Sequence, residues 1–165
     1  MSKEIRRNIW AKFFRQFNAA NQYRRAEITV VDRNKKEQKT ITLGDRPFLG
    51  MAIEKKGRLI DGIQMCAGNE NPDRLTEPVV TMKDPERILL EKDDEGHDRA
   101  VTVTAKDGTM ARIELGAYDE QLPTDLVRRV AYHMFMRRGG TEGNAQDDWY
   151  TAEKKVKETE LDFVR

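Results

Sequence analysis

The sequence predicts an α+β protein: an N-terminal helix packed on a mostly antiparallel sheet of six or seven strands, followed by a C-terminal antiparallel helical hairpin. Three observations predict this class. Apolar residues recur at helical spacing over 5–17, alternate with polar residues over much of 26–115, and return to helical spacing after 122. Of the 165 residues, 38% are apolar and 36% are charged, which suits a buried core beneath a strongly charged surface.

The first predicted element is an amphipathic helix. Its apolar residues are Ile5, Ile9, Trp10, Phe13, Phe14 and Phe17. Ser2 is expected to cap the N-terminus of this helix, and residues 18–21 to supply the turn that ends it. Aromatic rings with basic neighbours also occur in helices that lie on membrane surfaces. We favour a helix docked on the sheet, because the following strands need a cover for one face.

Period-two alternation predicts two hairpins early in the sheet. In the first, Ile28 and Val30 lie on one strand and Ile41 and Leu43 on the other, across the polar loop 32–38. The second turns at residues 55–57. These four strands are expected to form a meander. Residues 66–79 contain two prolines and no sustained period, which predicts a long loop or a loop with one helical turn.

The later strands are predicted around residues 87–91, 101–104 and 110–115. Asp107-Gly108 lies between two alternating runs and is a strong hairpin signal. The acidic run 93–95 precedes a glycine and is interpreted as the solvated tip of another hairpin. The strands are expected to be mostly antiparallel, because no segment between them other than residues 66–85 is long enough for a crossover helix.

A domain boundary is predicted near residue 118, giving an α+β domain over 1–118 and a helical hairpin module over 119–165. Thr124 and Asn144 are expected to cap the two helices, and Gly139-Gly140 to end the first. The first helix presents an apolar face of Leu126, Val127, Val130, Ala131, Met134 and Phe135. The second presents Trp149, Ala152, Val156 and Phe163. A connection of about five residues implies an antiparallel pair.

Residues of this C-terminal segment resemble a short bacterial helical domain of unknown function. The resemblance rests on the run 129–132 (R-V-A-Y), Arg138-Gly139, Gly143, and the run 148–153 (D-W-Y-T-A-E). It covers about residues 124–158 and implies no activity. Members often have His before the Trp, where this chain has Asp148.

Residues 5–115 resemble, more loosely, a second bacterial family of unknown function. Trp10, Phe13 and Phe14 match its W-x-x-F-F helix, with Asp84-Pro85 and Asp107-Gly108 as further points of likeness. This resemblance also implies no assigned chemistry.

Catalytic and cofactor motifs do not emerge from the sequence. It contains no glycine-rich phosphate loop, and its two histidines and single cysteine do not have the spacing of a zinc site. We therefore expect no metal, no cofactor and no internal disulfide, and the sequence favours a protein that is not an enzyme. The lack of a long apolar run and of a secretion signal predicts a cytoplasmic protein without membrane insertion.

The predicted function is protein binding, as an adaptor module whose partner is another protein or a second copy of the chain. Its candidate interaction surface is Tyr132, Phe135, Trp149 and Glu153 on the helical hairpin. The alternative is nucleic-acid binding, because residues 1–46 carry twelve basic and five acidic side chains. Its candidate phosphate contacts are Arg6, Arg7, Lys12, Arg24 and Arg25.

Overall fold

The computed structural model describes residues 1–22, 24–42, 47–68, 76–116, 122–138, 140 and 145–164. It confirms the predicted fold class: an N-terminal helix packs on antiparallel sheets, and a pair of contacting helices follows. Several residues on which a sequence prediction rests fall outside the described residues, namely Leu43, Gly139, Gly143, Asn144 and the boundary near residue 118.

The N-terminal helix starts later than predicted. Residues Ser2–Glu4 form a short strand, β1, and a 3₁₀ turn follows at Arg7–Ile9, so Ser2 pairs with Glu91 and is not a helix cap. The α-helix α1 runs from Trp10 to Asn21. The predicted turn at 18–21 is therefore the last helical turn, and the change in phase at the 3₁₀ turn leaves Ile9 41% exposed.

Nine strands in the described residues form two antiparallel sheets. Their bounds are β1 (Ser2–Glu4), β2 (Ala26–Asp32), β3 (Glu37–Thr42), β4 (Phe48–Lys56), β5 (Leu59–Gly68), β6 (Thr76–Lys83), β7 (Pro85–Lys92), β8 (Asp98–Ala105) and β9 (Met110–Leu115). The six-stranded sheet has the order β1-β7-β8-β9-β2-β3, and the three-stranded sheet has the order β4-β5-β6.

The predicted meander of four strands is wrong, because its two hairpins lie in different sheets. The β2–β3 hairpin pairs through Ala26–Val31 with β9, which is remote in sequence. The β4–β5 hairpin continues into β6. Both hairpins can be predicted from the local sequence. The further strand that pairs with each hairpin is set by the packing of the whole fold.

The connection predicted as a loop over 66–79 is shorter in the structure. Strand β5 extends to Gly68 and β6 begins at Thr76, which leaves residues 69–75 outside the described part of the chain. Pro78 lies inside β6, at an irregularity of the pairing with β5 next to Cys66. Since β6 is an edge strand, the missing N–H of Pro78 is tolerated there, and the proline misled the prediction.

One continuous core takes side chains from α1 and from both sheets. Trp10, Phe14 and Phe17 of α1 are buried in it, and the Phe17 ring meets Phe48 of β4 edge-on at 5.8 Å between centroids. The free edge of β4 is covered by α1, because the Asn18 amide donates to the Met51 carbonyl at 3.0 Å and accepts from its N–H at 2.9 Å. A side chain thus replaces a neighbouring strand.

The C-terminal helices are α2 (Leu122–Arg137) and α3 (Ala145–Val164). Helix α2 begins two residues before Thr124, so Thr124 is not its N-cap; Pro123 lies in the first turn, where its missing N–H costs nothing. At the other end, Gly140 has a φ of +69° and its N–H donates to the Phe135 carbonyl at 3.2 Å. This bond is typical of a helix ended by glycine.

The helix pair has a small core of its own that reaches the sheet. Val127 and Val130 of α2 are buried against Ala152 and Val156 of α3, and Leu49 of β4 completes the cluster with no exposed surface. The predicted domain boundary near 118 lies outside the described residues and stays a prediction. No helix in the described ranges is long and apolar enough to cross a membrane.

Candidate interaction face and polar pocket

The outward side of α2 carries a cluster of exposed apolar side chains. Tyr132 is 62% exposed and Met136, one turn later, is 52% exposed. The ring of Phe135, which is half-buried, lies 6.4 Å from the Tyr132 ring, measured between centroids. We call Tyr132, Phe135 and Met136 the α2 outer face. Among the described residues, six large apolar side chains are strongly exposed, and two of the six, Tyr132 and Met136, lie on this face. The face therefore concentrates exposed apolar surface.

Helix geometry explains why this face points outward. Val127, Val130, Ala131 and Met134 take up the side of α2 that packs into the helix-pair core. Tyr132 follows Val130 by two positions, about 200° around the helix, and so lies on the opposite side. Trp149 and Ala131 pack on the helix-pair core, and Tyr132 does not.

The other two predicted surface residues lie elsewhere on the helix pair. Trp149 is partly buried against the helix-pair core. Glu153 is partly buried and pairs with Lys157 one turn later, with 3.1 Å between Oε1 and Nζ. Tyr150, by contrast, is 58% exposed and its hydroxyl accepts from the Gln146 amide at 3.3 Å. Of the four predicted residues, the structure brings together Tyr132 and Phe135.

A bidentate ion pair fixes the end of α2 to the start of α3. Both Nη atoms of Arg138 donate to the carboxylate of Asp148 at 2.6 Å, and Asp148 is almost fully buried. These hydrogen bonds raise the pKa of Arg138 above its ordinary value. Parallel N–H···O bonds hold both groups in one geometry, so the ends of the two helices are tied together close to Phe135 and Gly140.

The five predicted phosphate contacts divide into two sets. Arg6, Lys12 and Arg25 are exposed. Arg7 donates to the carbonyls of Pro85 at 2.7 Å and Ile60 at 3.1 Å, and its guanidinium lies 4.7 Å from the Trp10 ring centroid. Arg7 thereby joins the start of α1 to both sheets. A nucleic-acid function through this set stays a prediction.

Arg24 belongs to a polar network beneath the C-terminal end of α1. Its Nε and one Nη donate to the Gly116 carbonyl at 3.0 and 2.6 Å, and the other Nη donates to Asn21 Oδ1 and the Asp98 carbonyl, both at 2.8 Å. Burial lowers the pKa of Arg24, and the nearby carboxylate of Asp98 opposes that shift. The Asn21 amide in turn donates to Asp98 Oδ2 at 2.8 Å. The network joins α1 to β8 and to the end of β9.

A pocket of about 540 Å³ opens beside this network, between α1 and the turn that connects β7 to β8. The side chains and backbone that line it are Ala20, Asn21, Arg24, Lys92, Asp93, Gly96, His97 and Asp98. The turn is held by Asp93, whose Oδ1 accepts the backbone N–H groups of Glu95 and His97, each at 2.9 Å. Those backbone hydrogen bonds, led by that of His97, lower the pKa of Asp93.

Sequence reasoning placed this turn correctly but missed the pocket. Asp93 and His97 come from a turn interpreted as merely solvated, and Arg24 was assigned to a phosphate surface. One signal was available: Asn18 and Asn21 continue the apolar stripe of Phe14 and Phe17 at spacings of three and four. Amides on a buried stripe must find hydrogen-bond partners, so they mark a polar seam beneath the helix.

Fold and surface together define an α+β protein with a pair of contacting C-terminal helices, one of which exposes an apolar face. Residues 124–158 match a family described as a protein of unknown function, DUF2934. This match confirms the first resemblance and spans most of both helices; the likeness of residues 5–115 to a second family stays a prediction. No curated protein matches the chain. Among the described residues, no group of three or more His, Cys, Asp or Glu is arranged to hold a metal ion.

Proposed function

We propose that the protein is a non-enzymatic protein-binding module and that its partner docks on the α2 outer face. The observation that carries the proposal is the exposure of Tyr132 and Met136 one helical turn apart, with the Phe135 ring 6.4 Å from the Tyr132 ring. Aromatic residues and methionine are enriched at protein interfaces, where they bury much area with few rotamers. The patch is also rigid, because the Arg138–Asp148 pair and Gly140 fix the end of α2.

Charge around the face indicates the chemistry of the partner. Arg128 and Arg129 lie about one turn before Tyr132 on α2, whereas the charge of Arg138 is paired with Asp148. The partner that fits is a segment that presents apolar side chains between carboxylates, such as an acidic amphipathic helix. Two copies of the chain facing each other through this surface would bring the arginines together, so charge disfavours self-association here.

The proposal is tested by site-specific photocrosslinking in the full chain. A photoreactive amino acid at Tyr132 should capture one predominant partner from native extract, and the same group at Leu59, a residue 74% exposed on β5, should not. The captured partner is then purified, and its affinity for the unmodified chain is measured by calorimetry.

Alanine variants decide whether the face itself binds. Y132A and M136A should each lower the affinity for the purified partner by about tenfold or more, which is the effect expected of central interface residues. The matched control Y150A alters the exposed tyrosine of α3 and should change the affinity by less than about threefold. Equal crosslinking from position 59, or an unchanged affinity for both α2 variants, would refute the proposal.

A further inference from the structure

One edge of the six-stranded sheet is formed by β3, which has a single neighbouring strand, β2, in the described part of the chain. The side chains of residues 37–40 on this strand are all exposed. The N–H and C=O groups along the outer side of an edge strand can pair with a further strand. The β3 edge is therefore a place where a second chain can add to the sheet.

The other sheet edges among the described residues are protected. Strand β1 has only three residues, and the edge of β4 is covered by the Asn18 amide. Strand β6 contains Pro78, and its pairing with β5 is irregular beside Cys66. Strand β3, by contrast, has six residues and no proline, and it pairs with β2 without a shift in register. It is the edge on which a further strand fits best.

Two charged side chains determine which kind of strand can pair with β3. Glu37 and Lys39 are two positions apart, so they lie on the same face of the sheet as Ile41, which packs against the core. An apolar strand added to this edge would place its own side chains next to these charges, which disfavours it. A strand with complementary charges is favoured, because opposite charges in facing positions stabilise an antiparallel pair.

The sequence Glu-Gln-Lys of β3 is complementary to itself in the antiparallel direction. When two copies pair around a twofold axis at Gln38, Glu37 of each copy faces Lys39 of the other. Pairing centred on Lys39 would place two lysines opposite each other, and pairing centred on Thr40 would place Lys39 opposite Ile41. Charge thus favours the register centred on Gln38.

We propose that two copies of the chain associate through β3, antiparallel and centred on Gln38, so that their six-stranded sheets join into one continuous sheet. The pairing forms backbone hydrogen bonds between the two strands, and the symmetry repeats the ion pair between Glu37 and Lys39 on both sides of the axis. This interface uses a different element from the α2 outer face, and the inference does not depend on the proposed protein-binding function.

Sedimentation equilibrium of the full chain tests whether this dimer forms and which charges stabilise it. We expect a reversible equilibrium between monomer and dimer. E37K places two lysines opposite each other in both pairs and should raise the dissociation constant by about tenfold or more. E37K/K39E reverses both charges of each pair and should restore the dissociation constant to within about threefold of its original value.

The matched control is E86K, which makes the same change in net charge at an exposed glutamate of β7. It should leave the dissociation constant of the dimer unaltered. A chain that stays monomeric up to about 1 mM would overturn the proposal. A dimer that is unaffected by E37K, or that E37K/K39E does not restore, would also overturn it, because the copies would then meet through another surface.

Cysteine crosslinking tests the register of the two strands. Under oxidation, Q38C should form a disulfide between two copies, because each Gln38 faces its counterpart. T40C introduces an equally exposed cysteine on the same face, which faces residue 36 of the other copy and should crosslink far less. The native Cys66 is buried and should not compete. Crosslinking of T40C in preference to Q38C would overturn the assigned register.

Discussion

Asn18 shows at the scale of one residue how a side chain can complete a sheet. Its amide bonds both the N–H and the carbonyl of Met51 and is only 2% exposed. In N18A, both backbone groups of Met51 lose their partner in a buried place. We expect the free energy of unfolding to fall by about 2–4 kcal/mol, measured by urea denaturation.

The matched control for Asn18 is Gln16, an exposed amide two residues earlier on α1. Q16A should change the stability by no more than about 0.5 kcal/mol. Equal losses of stability in N18A and Q16A would mean that the loss comes from changes to the helix itself and not from the hydrogen bonds between Asn18 and Met51.

Cys66 is buried in β5, and burial raises the pKa of its thiol to about 11. Only the thiolate is nucleophilic, so the folded protein should react with an aromatic disulfide reagent far more slowly at pH 8 than the urea-unfolded chain does. The ratio of the two rates is the measurement. Rapid labelling of the native protein would show that the strand opens at Cys66.

The same shift predicts a pH dependence of stability. Because the pKa is raised in the folded state, the unfolded chain ionises first, from its ordinary value of 9.0 upward. The contribution of Cys66 should be complete below pH 9 and lost as the pH rises towards 11. C66A should remove that part of the alkaline decline, as measured by thermal unfolding at several pH values, and an identical decline in C66A would contradict it.

Turns and helix ends are the features that local chemistry determines. Asp107-Gly108 makes the predicted hairpin, with Gly108 at a φ of +89° and the Asp107 carboxylate accepting the Thr109 N–H at 2.9 Å. Gly140 ends α2 as predicted. The start of α1 was misplaced, because the apolar spacing begins at Ile5, whose N–H donates to the Ile88 carbonyl of β7 at 2.9 Å, and continues through the 3₁₀ turn Arg7–Ile9. The local sequence predicts a turn or a helix end correctly when the residues that stabilise it are close to it in the chain.

At the same scale, the pair of Arg138 and Asp148 decides whether the two C-terminal helices meet at their ends. R138Q leaves the carboxylate of Asp148 almost buried without its partner, so thermal stability should fall. R138K keeps the charge but loses the bidentate geometry and should recover only part of the loss.

A double-mutant cycle gives the coupling between these two side chains. The double variant R138Q/D148N should lose less stability than the sum of the single variants, because the partners act as one unit. Additive losses would show that the bidentate contact contributes nothing beyond its separate residues.

At the scale of the whole molecule, the packing of the helix pair against the sheets depends on Leu49. This side chain extends from β4 into the helix-pair core and has no exposed surface. L49A should cost about 2–5 kcal/mol and speed amide hydrogen exchange in α2 and α3. L59A changes a leucine that is 74% exposed and should have almost no effect. Faster exchange confined to the sheets would contradict this role of Leu49.

The sequence by itself determined the fold class, the β2–β3 and β4–β5 hairpins, the Asp107-Gly108 turn and the helical C-terminus, together with its family likeness. Each of these follows from periodicity or turn chemistry between residues close in the chain. Tertiary structure alone decided that β2 pairs with β9, that Arg24 joins a polar network, and that Tyr132 faces outward while Trp149 packs inward. These features join segments up to 92 residues apart, so their energies arise only when the chain is folded.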